Sequence, residues 1–145
     1  MSEFQPILLF VYGTLMQGLG NHGIISKYSG GSQRFLGKAR TIEKYLMLTS
    51  GVPFVNSKIP EVTIKGELFE ISDKKLLDEL DRLEGHPDWY VRTLIKVQHI
   101  VDVAEDNGPT VDAFIYFNDQ FTEEIAREWG SICKRISSGN FMDAN

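Results

Sequence analysis
Near the start of the chain five consecutive apolar residues, Ile7-Leu8-Leu9-Phe10-Val11, lie between Pro6 and Gly13. A strand with one wet face alternates apolar and polar positions, so an unbroken run predicts a strand covered on both faces and central in its sheet. Stretches rich in β-branched and aromatic residues predict further strands over 37–48, 62–71, 90–103 and 112–117. Residues 49–60 carry Gly51, Pro53 and Pro60 and read as loop.

Two segments switch to helical spacing. Over 73–84 (DKKLLDELDRLE), Leu76, Leu77, Leu80 and Leu83 form one stripe, with Ser72 at the N-cap, an acid at the first helical position and Gly85 as a C′ stop. Over 119–136, Thr122-Glu123-Glu124 make an N-cap with first-turn acids, and Ile125, Trp129, Ile132, Cys133 and Ile136 recur on one face. Residues 137–145 are polar and small and read as a flexible tail. The pattern predicts one α+β domain over 1–136, built on a mixed or barrel-like sheet.

Composition narrows the function. With 15 Lys and Arg scattered among 20 Asp and Glu, and a net charge of -5, the chain lacks the basic clustering that holds phosphate backbones. A small molecule or a protein is the expected partner, not nucleic acid. The apolar run at 7–11 is too short for a membrane span or a signal segment, and the lone Cys133 allows no intrachain disulfide, so cytoplasm is the expected location. Cys133 reads as packing. His22, His86 and His99 stand apart without metal-ligand spacing, so no metal is expected. Ser50, Ser57 and Thr14 lack a nucleophile elbow.

The glycine-rich segment FVYGTLMQGLGNHG, residues 10–23, formally contains G-x-G-x-x-G. A dinucleotide fingerprint needs its first glycine at the strand end and a long helix after its last. Here Gly18 is separated from Val11, and after Gly23 only a short stretch precedes Ser29-Gly30-Gly31. Nor does a lysine follow for a phosphate-binding P-loop. Tyr12-Gly13-Thr14-Leu15, by contrast, follows the strand directly. A glycine there lets successive N–H groups face one carboxylate or oxyanion, or else simply makes a tight turn.

At about 100° per residue, Glu84 falls within about 50° of the centre of the leucine stripe. Asp78, Glu79 and Arg82 lie outside it and Asp81 at its border. Burial and the helix C-terminal dipole both disfavour the carboxylate form, raising the pKa toward values useful for proton transfer. The alternative is a helix-end glutamate that bends to water or pairs with Arg92.

Three stretches taken together resemble the gamma-glutamylcyclotransferase-like family. They are Val11-Tyr12-Gly13-Thr14-Leu15, Gly66-Glu67-Leu68-Phe69-Glu70-Ile71, and Leu80-Asp81-Arg82-Leu83-Glu84-Gly85 followed by Trp89-Tyr90-Val91-Arg92-Thr93. The resemblance extends from about residue 7 to 117 and is strongest to the gamma-glutamylamine cyclotransferase branch, where YGTL is likewise accompanied by a nearby Asn-His, here Asn21-His22. It implies a small mixed β-barrel with flanking helices, no cofactor, and a small gamma-glutamyl substrate. Glu84 is then the acid/base, and Tyr12, Gly13, Thr14 and Leu15 bind substrate.

The implied reaction closes 5-oxoproline from a gamma-glutamyl group and releases an amine, such as lysine from epsilon-(gamma-glutamyl)-lysine. Tyr90 and Tyr116 are candidates for the aromatic walls that exclude water, with Tyr116 read as core. Residues 49–60 and 85–89 match no part of the family pattern and read as substrate-selecting. A non-catalytic binding module on the same fold, and a cyclotransferase for a gamma-glutamylated biosynthetic intermediate or dipeptide, are the alternatives.

Overall fold
The computed structural model describes residues 4–13, 15–16, 19, 22–23, 33–100 and 108–143. Five strands close on themselves: β1 (Ile7–Val11), β2 (Gln33–Ser50), β4 (Val62–Ile71), β5 (Val91–Ile100) and β6 (Thr110–Phe117), in the order β2-β4-β1-β6-β5, with β5 returning to pair β2. β1 runs antiparallel to β4 and parallel to β6, which makes the barrel mixed. The small α+β barrel expected from the sequence is therefore present. β3 (Val52–Asn56) extends β2 as an edge hairpin outside the closed barrel.

The unbroken apolar run of β1 has the expected cause. Phe10 points into a core formed almost wholly by strand residues, among them Ile64, Leu68, Val97 and Ile115, and Tyr12 just past the strand's end joins it. Leu9 and Val11 point the other way, into a second core beneath the helix α1 (Lys74–Glu84), with Phe69, Leu76, Leu77 and Leu80. Both faces of β1 are dry, so both alternating sets must be apolar. β1 is also crowded from the side: a Cβ on Gly66 of β4 would overlap the Val11 carbonyl oxygen and press on the Phe10 ring.

β2 is one long strand because it serves two sheets. Its first half pairs β4 and β5, and its last residues pair β3. Register shifts between Phe35 and Gly37 and between Arg40 and Lys44 bend it, as bulges do in closing barrels. The loop expected over residues 49–60 is thus corrected, since part of it is strand. Gly51, at φ 83°, makes the reversal, and Val52–Asn56 form β3. Pro53 is tolerated because β3 lies at the sheet edge, where a missing N–H interrupts no second ladder.

The helices also differ in detail. α1 is capped by the Asp73 side chain, which accepts from the Lys75 N–H at 2.8 Å, so Asp73 rather than Ser72 is the cap and the first helical turn carries no acid. Gly85 ends it at φ 69° as expected. The second helix, α2 (Glu123–Glu128), has the predicted Thr122 cap but stops far short of residue 136. Gly130 adopts φ 69°, and the Ser131 N–H donates back to the Ala126 carbonyl, closing the helix. The chain then pairs β7 (Lys134–Arg135) with Leu48 and Thr49 at the end of β2. An available strand partner outweighs local periodicity, leaving Ile132 81% exposed, while Cys133 packs partly against the core.

The tail expected beyond residue 136 is tied down over residues 137–143. The Gly139 carbonyl accepts from the Lys65 N–H at 2.9 Å, and Phe141–Asp143 form a 3₁₀ turn. Of the 90–103 strand expected from the sequence, residues 101–103 lie outside the described residues. Among the described residues no helix is long and apolar enough to cross a membrane.

Replacing Gly66 by alanine should force β1 and β4 apart. The expected result is a melting temperature lower by about 5 to 10 °C, corresponding to roughly 2 to 3 kcal/mol for a domain of this size. An unchanged melting temperature would show that the close approach of the two strands is not a constraint.

Candidate active site
A cavity of about 250 Å³ opens where β1 ends beside the C-terminus of α1. Phe10, Val11, Tyr12, Gly13 and Leu15 line one side, and Glu84, Trp89, Tyr90 and Tyr116 the other, with Val52, Pro53 and Leu83 completing it. The structure thus brings Tyr12, Gly13, Leu15, Glu84 and Tyr90, all singled out from the sequence, around one cavity. Thr14 and Asn21 lie outside the described residues.

Gly13 sits where the hairpin of β2 and β3 crosses the β1 loop. A Cβ on it would lie 2.6 Å from Pro53 Cγ, so the glycine is required by the close approach of Pro53. Its carbonyl accepts from the Met16 N–H at 3.0 Å, forming a turn. Leu15 is buried, and its carbonyl lies 2.9 Å from His22 Nδ1, which ties the returning loop to the first turn. The His22 ring packs against Phe69 at 5.7 Å.

The tyrosines are held by backbone. The Tyr12 hydroxyl donates to the Tyr116 carbonyl at 2.6 Å, and the Tyr90 hydroxyl donates to the Pro53 carbonyl at 2.8 Å. Burial raises the pKa of both well above the usual phenol range, and the nearby Glu84 carboxylate adds to the effect. They act as neutral walls at any physiological pH. The Tyr90 ring stacks on Phe54 at 5.6 Å.

Glu84 is the last residue of α1, and the αL glycine after it turns the chain so that the Tyr90 N–H donates to the Glu84 carbonyl at 3.2 Å. Its side chain faces the cavity. Desolvation by burial raises its pKa to about 7. The sequence left open a pairing of Glu84 with Arg92, and the structure resolves it otherwise. Arg92 Nε and an Nη donate to the two oxygens of Asp81 at 2.9 and 3.0 Å. The Tyr116 hydroxyl donates to the same Asp81 at 2.7 Å.

Two of these residues extend what the sequence shows. Tyr116, read as core, is buried but also lines the cavity. Asp81, one turn before Glu84 and at the border of the leucine stripe, anchors both Tyr116 and Arg92. Its border position was the only signal, and it gave no indication of partners supplied by β5 and β6. Leu83, expected in the buried stripe, is 43% exposed at the cavity rim. Among the described residues no group of three His, Cys, Asp or Glu side chains is arranged as metal ligands are.

A cavity with apolar and phenolic walls and a single carboxyl poised near neutrality suits proton transfer within a small, enclosed substrate. The family model described as "Gamma-glutamyl cyclotransferase, AIG2-like" matches residues 9–142. A protein of Methanocaldococcus jannaschii, provisionally named a gamma-glutamylcyclotransferase, is 40% identical over 111 residues, covering 75% of this chain and 82% of that one. The gamma-glutamylaminecyclotransferase of Homo sapiens is 34% identical over 130 residues, covering 83% and 84%. The crystal structure of an AIG2-like protein from Mus musculus superposes with a TM-score of 0.73 at 27% identity, covering 92% of this chain and 88% of that one.

The raised pKa of Glu84 has a stability consequence whose sign is definite. The folded protein holds this proton more tightly than the unfolded chain, so the resulting stability is full below about pH 4.5 and is lost as pH rises through about 7. Glu84→Gln should therefore gain on the wild type between about pH 5 and about pH 8, by on the order of 2 kcal/mol. Urea unfolding at several pH values measures it, and parallel pH profiles for the two proteins would show that the carboxyl is not desolvated.

Proposed function
The chain belongs to the AIG2-like gamma-glutamyl cyclotransferase family and is an enzyme of that type, and from this premise we propose that it is a gamma-glutamylamine cyclotransferase with Glu84 as its acid/base. The observation that carries the reading is the setting of Glu84, a carboxyl in the cavity whose pKa burial raises to about 7.

The alpha-amine of the gamma-glutamyl group attacks its own side-chain carbonyl. A C–N bond forms to close the five-membered ring, and the bond to the leaving amine breaks. Glu84 in its ionised form takes a proton from the alpha-ammonium so that the free amine can attack. The ring nitrogen gives up its second proton as the lactam forms, and both protons pass to the leaving nitrogen, which departs as an ammonium; Glu84 ends the cycle as it began. A pKa near 7 suits both halves of this task, because neither transfer is then steeply uphill. Such a group contributes typically about 10² to 10⁴-fold in rate.

The backbone N–H groups of Gly13 and Leu15 are the donors proposed to hold the substrate's carboxylate or the oxyanion of the tetrahedral intermediate, worth about 10² to 10³-fold for a well-aimed donor. Tyr12, Tyr90 and Tyr116 supply the walls that fold the substrate into its cyclising conformer and keep water out.

The choice of leaving amine is supported by what lines the cavity. Among the described lining residues there is no Lys or Arg, and the one charged side chain is the acid Glu84. A gamma-glutamyl-amino acid or glutathione places a carboxylate or peptide close to the scissile nitrogen, where an unpaired buried charge is costly. In epsilon-(gamma-glutamyl)-lysine the carboxylate is separated from that nitrogen by the whole lysine stem, which leaves it in water.

Purified protein incubated with epsilon-(gamma-glutamyl)-lysine, gamma-glutamyl-alanine and glutathione should release 5-oxoproline chiefly from the first, as followed by mass spectrometry. Predominant turnover of gamma-glutamyl-alanine would move the enzyme to the dipeptide branch. Glu84→Gln should bind substrate yet lose at least about a hundredfold in kcat. In the wild type kcat/KM should rise with pH and level off above about 7, where Glu84 is ionised. Wild-type turnover in Glu84→Gln would remove Glu84 from the mechanism.

A further inference from the structure
We propose that an aromatic shelf outside the cavity, built on Trp89 and Trp129, binds the leaving amine through an alkyl or aryl stem and so sets which amines are released. This rests on the cyclotransferase reading and deepens it by naming the class of leaving group. The cavity, at about 250 Å³, lies below the roughly 300 to 1,000 Å³ of sites that enclose a whole drug-sized ligand, so a substrate larger than the glutamyl group must extend past the rim.

The rim is apolar. Val52 and Leu83 are 44% and 43% exposed, and Trp89 stands beside them in the cavity lining. From Trp89 the apolar surface continues outward. The Trp129 ring lies 6.1 Å from it at an interplanar angle of 31°, and Trp129 is 60% exposed. Scattered exposed aliphatic residues are ordinary, but an indole left in water beside a cavity-wall indole is a surface awaiting an apolar partner.

The shelf is rigidly supported. Trp129 packs on Phe121 at 6.1 Å, Phe121 stacks on Phe54 at 4.0 Å, and Phe54 stacks on Tyr90 of the cavity wall. The Trp129 backbone N–H donates to the Ile125 carbonyl at 3.0 Å, so the residue is held at the end of α2. One array of rings therefore runs from the cavity to the surface.

The test compares gamma-glutamyl-methylamide, gamma-glutamyl-butylamide and gamma-glutamyl-phenethylamide. Turnover is read as 5-oxoproline release by the wild type, and binding by calorimetry with Glu84→Gln, where chemistry does not intervene. A fully buried methylene is worth about fourfold, so kcat/KM and affinity should each rise by at least about tenfold from methylamide to phenethylamide. Trp129→Ala should cut the phenethylamide-to-methylamide ratio by about tenfold, while Trp129→Phe, which keeps a ring on α2, retains part of it.

A flat series, or a ratio unchanged in both Trp129 variants, would overturn the shelf. A graded affinity in Glu84→Gln that Trp129→Ala flattens, together with no 5-oxoproline from any of the three amides in the wild type, would leave the shelf standing and sink the cyclotransferase reading of the site.

Discussion
The Arg92–Asp81 pair decides the electrostatics of the whole cavity. Arg92 is the cation that the sequence places within reach of Glu84, and a bidentate bond to Asp81 engages it elsewhere. Had the guanidinium turned to Glu84, the carboxyl would have been held as a firm anion and would have made a poor proton carrier. With Arg92 committed one turn earlier on the helix, Glu84 faces a desolvated cavity, and burial raises its pKa to about 7. The same Asp81 accepts from Tyr116, so a single carboxylate orients a phenolic wall and keeps the cation off its neighbour.

That arrangement depends on four elements meeting at one point. β1 delivers Tyr12 and Gly13, α1 delivers Asp81 and Glu84, and the adjacent ends of β5 and β6, with the residues leading into β5, deliver Tyr90, Arg92 and Tyr116. Backbone carbonyls lock the side chains in place. Tyr12 bonds the Tyr116 carbonyl and so ties the end of β1 to β6, and Tyr90 bonds the Pro53 carbonyl and so fastens the hairpin of β2 and β3 across the cavity it lines. Gly13 is the counterpart of that fastening, since a side chain there would push Pro53 away. Stability and site geometry are therefore the same set of contacts.

Much of this was legible along the chain. The apolar run of β1 declared a strand dry on both faces, and the leucine stripe with Gly85 declared a helix ending beside an inward-leaning acid, because periodicity of burial is written locally. Order and spacing of YGTL, the helix-end glutamate and the Tyr-x-Arg strand pointed to the family. The misreadings share one physical origin. Residues 119–136 keep helical spacing throughout, yet beyond Gly130 the chain pairs with the open edge of β2, a partner remote in sequence. Residues 49–60 carry glycine and prolines and read as loop, yet β3 forms because an edge strand does not need the missing N–H.

By itself, then, the sequence determined the element types wherever burial repeats with a fixed period, and the presence of an acid beside the core. Only the tertiary structure decided which residues face that acid. The pairing of Arg92 with Asp81, the placing of Tyr116 in the cavity wall and the row of rings from Tyr90 to Trp129 all join residues from different elements. Local periodicity reports how deeply a residue is buried, and contact between remote residues is set by how the barrel closes.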